Sequence, residues 1–534
     1  MKKIFAAVFL LSMALQAGAQ GWTDALNLSE NDYLGTARSV GMGNAMTAVG
    51  GDLGSLTFNP AGSAVASYSQ FTITPGLSFS TVTAQGSLSE GFEDAYKTRK
   101  GRMGLPNFGA MMTYDTRNKR GLKRVTFGIV GNVTRDYTNK IRANGTNANT
   151  TLAGSLASQA DGFGTDVLDG GFYQSSMPSW ETMVGWQGGL FEQINGSYVG
   201  ITESLLDNGN IVLTDRIGQY YGLERKGSKY DLLMNFGMDF NDKFYLGANI
   251  GITTATYRSD ETRSEEALSG INYGNDFAWL RTRSTLNDDA SGIYAKIGFI
   301  ARPFSGFRVG AAIQTPTLMQ VREGYQLEGR SLAEGVEMSQ SSPWDEWFYN
   351  VTSPWRANVG VAYTIGQLAL VSADYEYTDY RGMKLSPSYD DAYYYDFTDA
   401  NLDIQDFTGP VHAIRLGAEL KPAPSLALRV GYNLTTGAQY NTLSDSGHVV
   451  ALSQDERIAQ LRTAVSFGVG YSSPGSFFAD FAVRFQYLPN EYFTPYWYYY
   501  RENGNLYTDY SVVTPEICAQ SALCNALLTL GWRF

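Results

Sequence analysis

Residues 232–251, LLMNFGMDFNDKFYLGANIG, decide how this chain is read. Leu232, Met234, Phe236, Met238 and Phe240 fall on one face, and Leu233, Asn235, Gly237 and Asp239 on the other. Asn241 and Asp242 then interrupt the pattern with two residues that tolerate a tight turn. Alternation resumes with Phe244, Leu246, Ala248 and Ile250 against Tyr245, Gly247, Asn249 and Gly251. A period of two belongs to a strand and not to a helix. One face is apolar throughout, and the other mixes glycine with amide and carboxylate. A slip of one residue would exchange the faces, so the pattern says which side meets an apolar medium.

The same alternation recurs outward in both directions, at 70–84, 106–115, 124–134, 293–299, 307–314, 357–364 and 369–376, then at 414–420, 426–433, 465–471, 477–486 and 525–534. With the opening pair this makes fourteen strands, an even number, as a closed barrel with both ends on one side requires. Short connections, such as 117–121, 241–243 and 366–367, alternate with long ones, notably 137–229 and 321–355. That order suits periplasmic turns and extracellular loops. After residue 19 no run of 18 apolar residues could form a membrane helix. Aromatic residues reach 13%, with 35 Tyr, and Trp355, Tyr363, Tyr375, Tyr432, Tyr471, Tyr487 and Trp532 fall near strand ends, where interfacial girdles form. The fold class expected is all-β: a 14-stranded antiparallel transmembrane β-barrel.

Residues 1–19 read as an export signal: Lys2 and Lys3, an apolar core over 4–15, and the small residues Ala17, Gly18 and Ala19. An exported barrel implies the outer membrane of a Gram-negative bacterium. The net charge of −12 argues against nucleic acid as a partner. The expected division is a signal peptide at 1–19, a plug at 20–69 and the barrel at 70–534. The plug is read from 38–66, RSVGMGNAMTAVGGDLGSLTFNPAGSAVA, where only Arg38 and Asp52 are charged. A segment so poor in bulky side chains cannot bury itself and must pack inside something larger.

The hatch-like stretch, with Asn59-Pro60-Ala61 followed by Gly62, resembles the N-terminal hatch of the FadL/TodX family of outer-membrane transporters for long-chain fatty acids and other hydrophobic compounds. Ser353-Pro354-Trp355-Arg356, the Tyr-rich 373–380 and the terminal Phe534 fit the same family. The resemblance implies passive uptake without energy input. Cargo would be captured outside, pass to a pocket above the hatch, and leave through a gap in the wall. It also implies outer-membrane lipid, lipopolysaccharide and the barrel-assembly machinery as partners. A second reading, also drawn from the family, is a barrel that shuttles or anchors secreted proteins, as in type IX secretion.

Several residues are candidates for the site. Phe172, Tyr173, Trp180, Met183, Trp186 and Phe191 are large apolar groups in an outside loop, fit either for capturing ligand or for a small loop core. Trp344, Trp347, Phe348 and Tyr349 carry the same two readings. By parity, Lys296, Arg308, Arg415, Arg429 and Arg484 face the lumen, where each could meet an acidic headgroup or pair with a wall acid such as Asp239, Asp374, Glu376, Glu419 or Asp480, or with Asp52. Cys518 and Cys524 are expected to close a small disulfide loop in an oxidising compartment, two separate thiols being the other possibility. With only His412 and His448, no zinc spacing and no nucleophile motif, neither enzyme chemistry, cofactor nor resident metal is expected. The acids Asp288, Asp289, Asp390, Asp391 and Asp396 read as solvated loop residues, with Ca²⁺ as the alternative.

Overall fold

The computed structural model describes residues 21–86, 91–174, 177–273, 276–388, 396–443, 448–496, 500–502, 505–507 and 514–534. The expected signal peptide, Asp390 and Asp391 lie outside them. Fourteen strands form the wall: β1 Gln70–Gly86, β2 Tyr96–Asp115, β3 Leu122–Asp136, β4 Ile217–Phe240, β5 Phe244–Glu266, β6 Trp279–Ala301 and β7 Phe307–Gln314, followed by β8 Arg356–Ile365, β9 Ala369–Asp379, β10 Pro410–Ala423, β11 Leu426–Thr435, β12 Arg462–Ser472, β13 Phe477–Tyr487 and β14 Ile517–Arg533. Each pairs antiparallel with the next, and β14 returns to β1 from Gln70↔Arg533 to Gly86↔Ile517. Closure removes the sheet edge from the lower wall, where each strand is paired on both sides and its backbone groups are satisfied.

The faces divide as the alternation demands. Phe127 is 57% exposed, Ile129 56%, Ile297 60% and Phe467 54%, all on the outer surface. Their inward neighbours Thr126, Lys296 and Ser466 are buried. In an aqueous protein this would be an inverted core; around a closed barrel it is a lipid-facing band. The turn at Asn241 and Asp242 takes φ of 59° and 56°, the geometry that lets a two-residue turn follow the twist of its strands.

The long connections differ from expectation. The stretch 258–290, between the alternating segments and expected as another outside loop, is mostly wall, because the pairing of β5 with β6 runs out to Glu266↔Trp279. The expected loop 321–355 is also strand: Leu318–Ala333 continues the wall along β6, a hairpin closes with Val336–Ser341, and Asp345–Thr352 pairs back. Within 137–229, Asn139–Asn147 extends β4's ladder before the chain forms the short helices α3 Leu152–Gln159, α4 Thr165–Leu168 and α5 Trp180–Gln187. The physical reason is plain in residues 258–266, RSDETRSEE, which are strand in the structure but polar on both faces. Past the membrane no apolar face is required, so the alternation vanishes while the hydrogen-bond ladder continues.

Inside the ring run residues 21–69. They form α1 Trp22–Ser29, α2 Ala37–Gly41 and two 3₁₀ turns, Leu53–Thr57 and Pro60–Val65. Inward-facing wall glycines let this backbone lie flush against the strands. A Cβ on Gly431 would stand 1.9 Å from the Gly43 nitrogen, on Gly247 2.3 Å from that of Ala61, and on Gly310 2.4 Å from the Thr47 oxygen.

Candidate functional site

Asn59 ties the inner segment together. Its Oδ1 accepts from the Ala61 N–H at 3.1 Å, which caps the 3₁₀ turn that Pro60 opens with its preset φ. Its Nδ2 donates to the Thr47 carbonyl at 2.8 Å and to the Phe299 carbonyl of β6 at 2.9 Å. From the wall, Asn235 donates to the Pro60 carbonyl at 2.9 Å and Asn249 to that of Leu56 at 2.8 Å. Gly62 accepts from the Gly51 N–H at 2.8 Å, and both Gly50 and Gly51 take the positive φ their turn needs. Asn59, Pro60, Ala61 and Gly62 are therefore buried within the ring and bonded to it.

All five lumenal cations face inward, and each has a partner. Lys296 donates to the Thr57 carbonyl at 2.5 Å, and Arg308 to the carbonyl of Val49. Arg415 pairs with Glu376 at 2.8 Å and lies over the rings of Tyr33 and Phe58. Arg429 bridges Glu419 and Asp480, both at 2.6 Å, and Glu419 also takes Arg38 at 3.0 Å. Arg484 pairs with Asp32 at 2.6 Å. Asp52, whose carboxyl burial raises despite Arg38 and Thr36, accepts from Thr36 at 2.6 Å.

Nearer the extracellular mouth, α1 lies in an apolar compartment. Trp22, Ala25 and Leu28 pack with Met319, Val321, Tyr349, Val351 and Phe407, and the Trp22 ring stacks on Phe407 at 6.0 Å. Just past the helix the chain meets a group of cations that the sequence reading missed. Arg462 reaches both Glu30 carboxylate oxygens, at 2.8 and 2.6 Å, and Arg135 reaches one at 2.5 Å. Lys229 donates to the carbonyls of Leu28 at 2.7 Å and Glu30 at 2.6 Å, and Arg356 donates to that of Ser29. Burial would raise the Glu30 carboxyl, but Arg462 and Arg135 hold it down to about 2. Asp24 is pushed up to about 6 by burial, with the Gly21 N–H at 2.9 Å opposing. Extending the strand parity outward would have found Lys229, Arg356 and Arg462. Arg135 is hidden by a register shift in β3 between Val133 and Arg135.

The wall has a seam. Pairing of β2 with β3 stops at Asn107↔Asn132, while β2 continues upward along β1 alone and β3 along β4. Side chains span the interval: Arg102 reaches Asp136 at 3.1 Å, and the Tyr230 hydroxyl donates to the Leu105 carbonyl at 2.6 Å. Behind it the inner segment adds to β3, with Asp32 N–H on the Thr134 carbonyl at 2.6 Å and Leu34 N–H on that of Val133 at 2.9 Å.

Outside, Phe172, Met183 and Phe191 are buried, and Trp180 and Trp186 are half-buried. Phe172 and Met183 pack on Leu327 of the extended wall, and Trp180 stands among Phe172, Tyr173, Tyr325 and Trp347. Tyr173 is 65% exposed. Of the second cluster, Tyr349 belongs to the compartment around α1, while Trp344 is exposed. The expected disulfide is not made. Cys518 and Cys524 are free thiols six residues apart on β14, about 20 Å by strand rise and far beyond bonding reach. Asp289 pairs with Arg258 at 2.9 Å. Among the described residues no group of three His, Cys, Asp or Glu could hold a metal ion.

These features define a transmembrane β-barrel of the outer-membrane type, with Leu56, Asn59 and Pro60 hydrogen-bonded to the inside of its wall. Among solved structures, the chain is similar to a Pseudomonas aeruginosa FadL homologue (12% identity, 94% of this chain and 98% of that one, TM-score 0.49). It is similar also to the Pseudomonas putida toluene transporter TodX (12%, 94% and 99%, 0.48) and the Ralstonia pickettii toluene transporter TbuX (13%, 95% and 100%, 0.45). No protein-family model and no curated protein matches the chain.

Proposed function

We propose that this protein is a passive outer-membrane channel for hydrophobic small molecules, long-chain fatty acids among them, with residues 20–69 as its hatch. One observation carries the reading: an apolar compartment inside the barrel, around Met319, Tyr349, Val351 and Phe407 and occupied by α1, stands above a polar, tightly bonded base. A water-filled pore has no use for apolar lining, whereas a greasy solute gains on entering it. The seam between β2 and β3 offers the exit, because cargo leaving sideways reaches lipid without crossing the base. Tyr173 and Trp344 supply exposed aromatic surface for first capture. Lipid, lipopolysaccharide and the barrel-assembly machinery are the partners that such a location entails.

The test is uptake of labelled fatty acid by cells with and without the chain, joined to a staple. Leu34 and Val133 face each other in an isolated antiparallel bridge, a spacing of about 4.5–5.5 Å that a disulfide can span. In a C518S/C524S background, L34C/V133C is expected to abolish uptake when oxidised and to restore it on reduction. Uptake unchanged by deletion of the chain would overturn the transport reading, and co-purification of a secreted protein in its place would favour the shuttle.

A further inference from the structure

The segment 22–30 has the chemistry of an amphiphile. Its first part is apolar: Trp22, Ala25 and Leu28, one face of α1, fill the compartment above the base. Its end is a single carboxylate, Glu30, 7% exposed and held by two guanidinium groups. Helix rise puts about 12 Å between the two ends. The other acids near this grip are committed. Glu376 is taken by Arg415 and Arg356, and Asp231 by Thr253 and Tyr294. If 22–30 withdrew with nothing in its place, Arg135, Arg462 and Lys229 would remain inside the barrel without the carboxylate and carbonyls they now hold. Lys229 is buried and the two guanidinium groups half-buried, so leaving them without acceptors is costly and exchange for another anion is favoured over withdrawal alone.

We propose that residues 22–30 are a resident stand-in for cargo, and that the site they occupy takes an amphipathic carboxylate, tail against Met319, Tyr349, Val351 and Phe407, head on Arg135 and Arg462. The inference rests on the uptake reading and deepens it. The chain's own segment competes with cargo, so the empty site is never exposed. Selectivity follows from the two ends: a neutral hydrocarbon satisfies only the compartment, and an alkyl amine is repelled by the cations.

The experiment uses the full chain in lipid nanodiscs, with cis-parinaric acid, its neutral methyl ester and an alkyl amine as probes. E30Q weakens the resident head without touching the wall, and is expected to raise affinity for the acid by about tenfold. R462Q loosens the grip on Glu30 and on the acid alike, so it is expected to shift selectivity from the acid toward the ester, whose only competitor is now held less tightly. A spin label at T23C in the C518S/C524S background reports the segment directly, since Thr23 is exposed on α1. Its mobility is expected to rise as the acid binds. Acid binding in E30Q no tighter than in the parent, or a label that stays immobile while acid binds, overturns the proposal and leaves the uptake reading standing. Failure of all three probes to bind any variant overturns both. Folding of each variant is checked by its unheated gel mobility.

Discussion

Asn59 shows what one side chain does when it is buried beside main chain. Three hydrogen bonds use its amide, two of them donated to carbonyls in different parts of the molecule. N59A would orphan the carbonyl of Thr47 and the N–H of Ala61, at about 1–3 kcal/mol for each buried unsatisfied group, and would cut the tie to β6 at Phe299. The expected result is a loosened hatch: higher single-channel conductance in planar bilayers and greater sensitivity of cells to bulky antibiotics, with the barrel still folded. The role of Asn59 as a turn-former is legible in the sequence, because Asn before Pro marks such a turn. Its bond to β6 is not, since the two lie 240 positions apart.

At the scale of the element, α1 is seated by groups of opposite pH response. Glu30 has a folded value below its ordinary 4.5, so its contribution is complete above that and is lost as pH falls toward about 2. Asp24 has a folded value of about 6, above its ordinary 3.8, so seating weakens as pH rises through that range. Asp288 and Tyr349 of the wall lie within electrostatic reach of Asp24, and neither supplies a cation to offset its ionisation. The spin label at T23C is therefore expected to be least mobile near pH 4–5 and to gain mobility toward both pH 2.5 and pH 7.5. A flat profile would remove these two carboxyls as the groups that seat the helix.

For the molecule as a whole, the governing fact is an inside-out surface. Ile297, mid-strand in β6, is 60% exposed, and Ile458, in the short helix Gln454–Ala459 beyond β11, is 53% exposed. In water the two would be equivalent. In a membrane-embedded ring, I297K is expected to cost about 2–4 kcal/mol, as a charge in the lipid-facing band does, and I458K close to nothing. Urea midpoints of the two variants in lipid vesicles check this; equal midpoints would mean that the band does not meet hydrocarbon.

The alternation of 232–251 and its repeats determined the number of strands, which face meets lipid, and where the short turns fall, because lipid selects residue type directly at every second position. The small-residue stretch 38–66 likewise announced that it needs an enclosure. What only the folded ring decided was everything set by distance across it: the grip of Arg135, Arg462 and Lys229 on 28–30 and the seam at Asn107↔Asn132. Beyond the membrane the outer face of a strand meets water, so the wall continues without the lipid-facing alternation that records it below. Inside, partners come from strands far apart in the chain, and closure alone brings them within a bond's length.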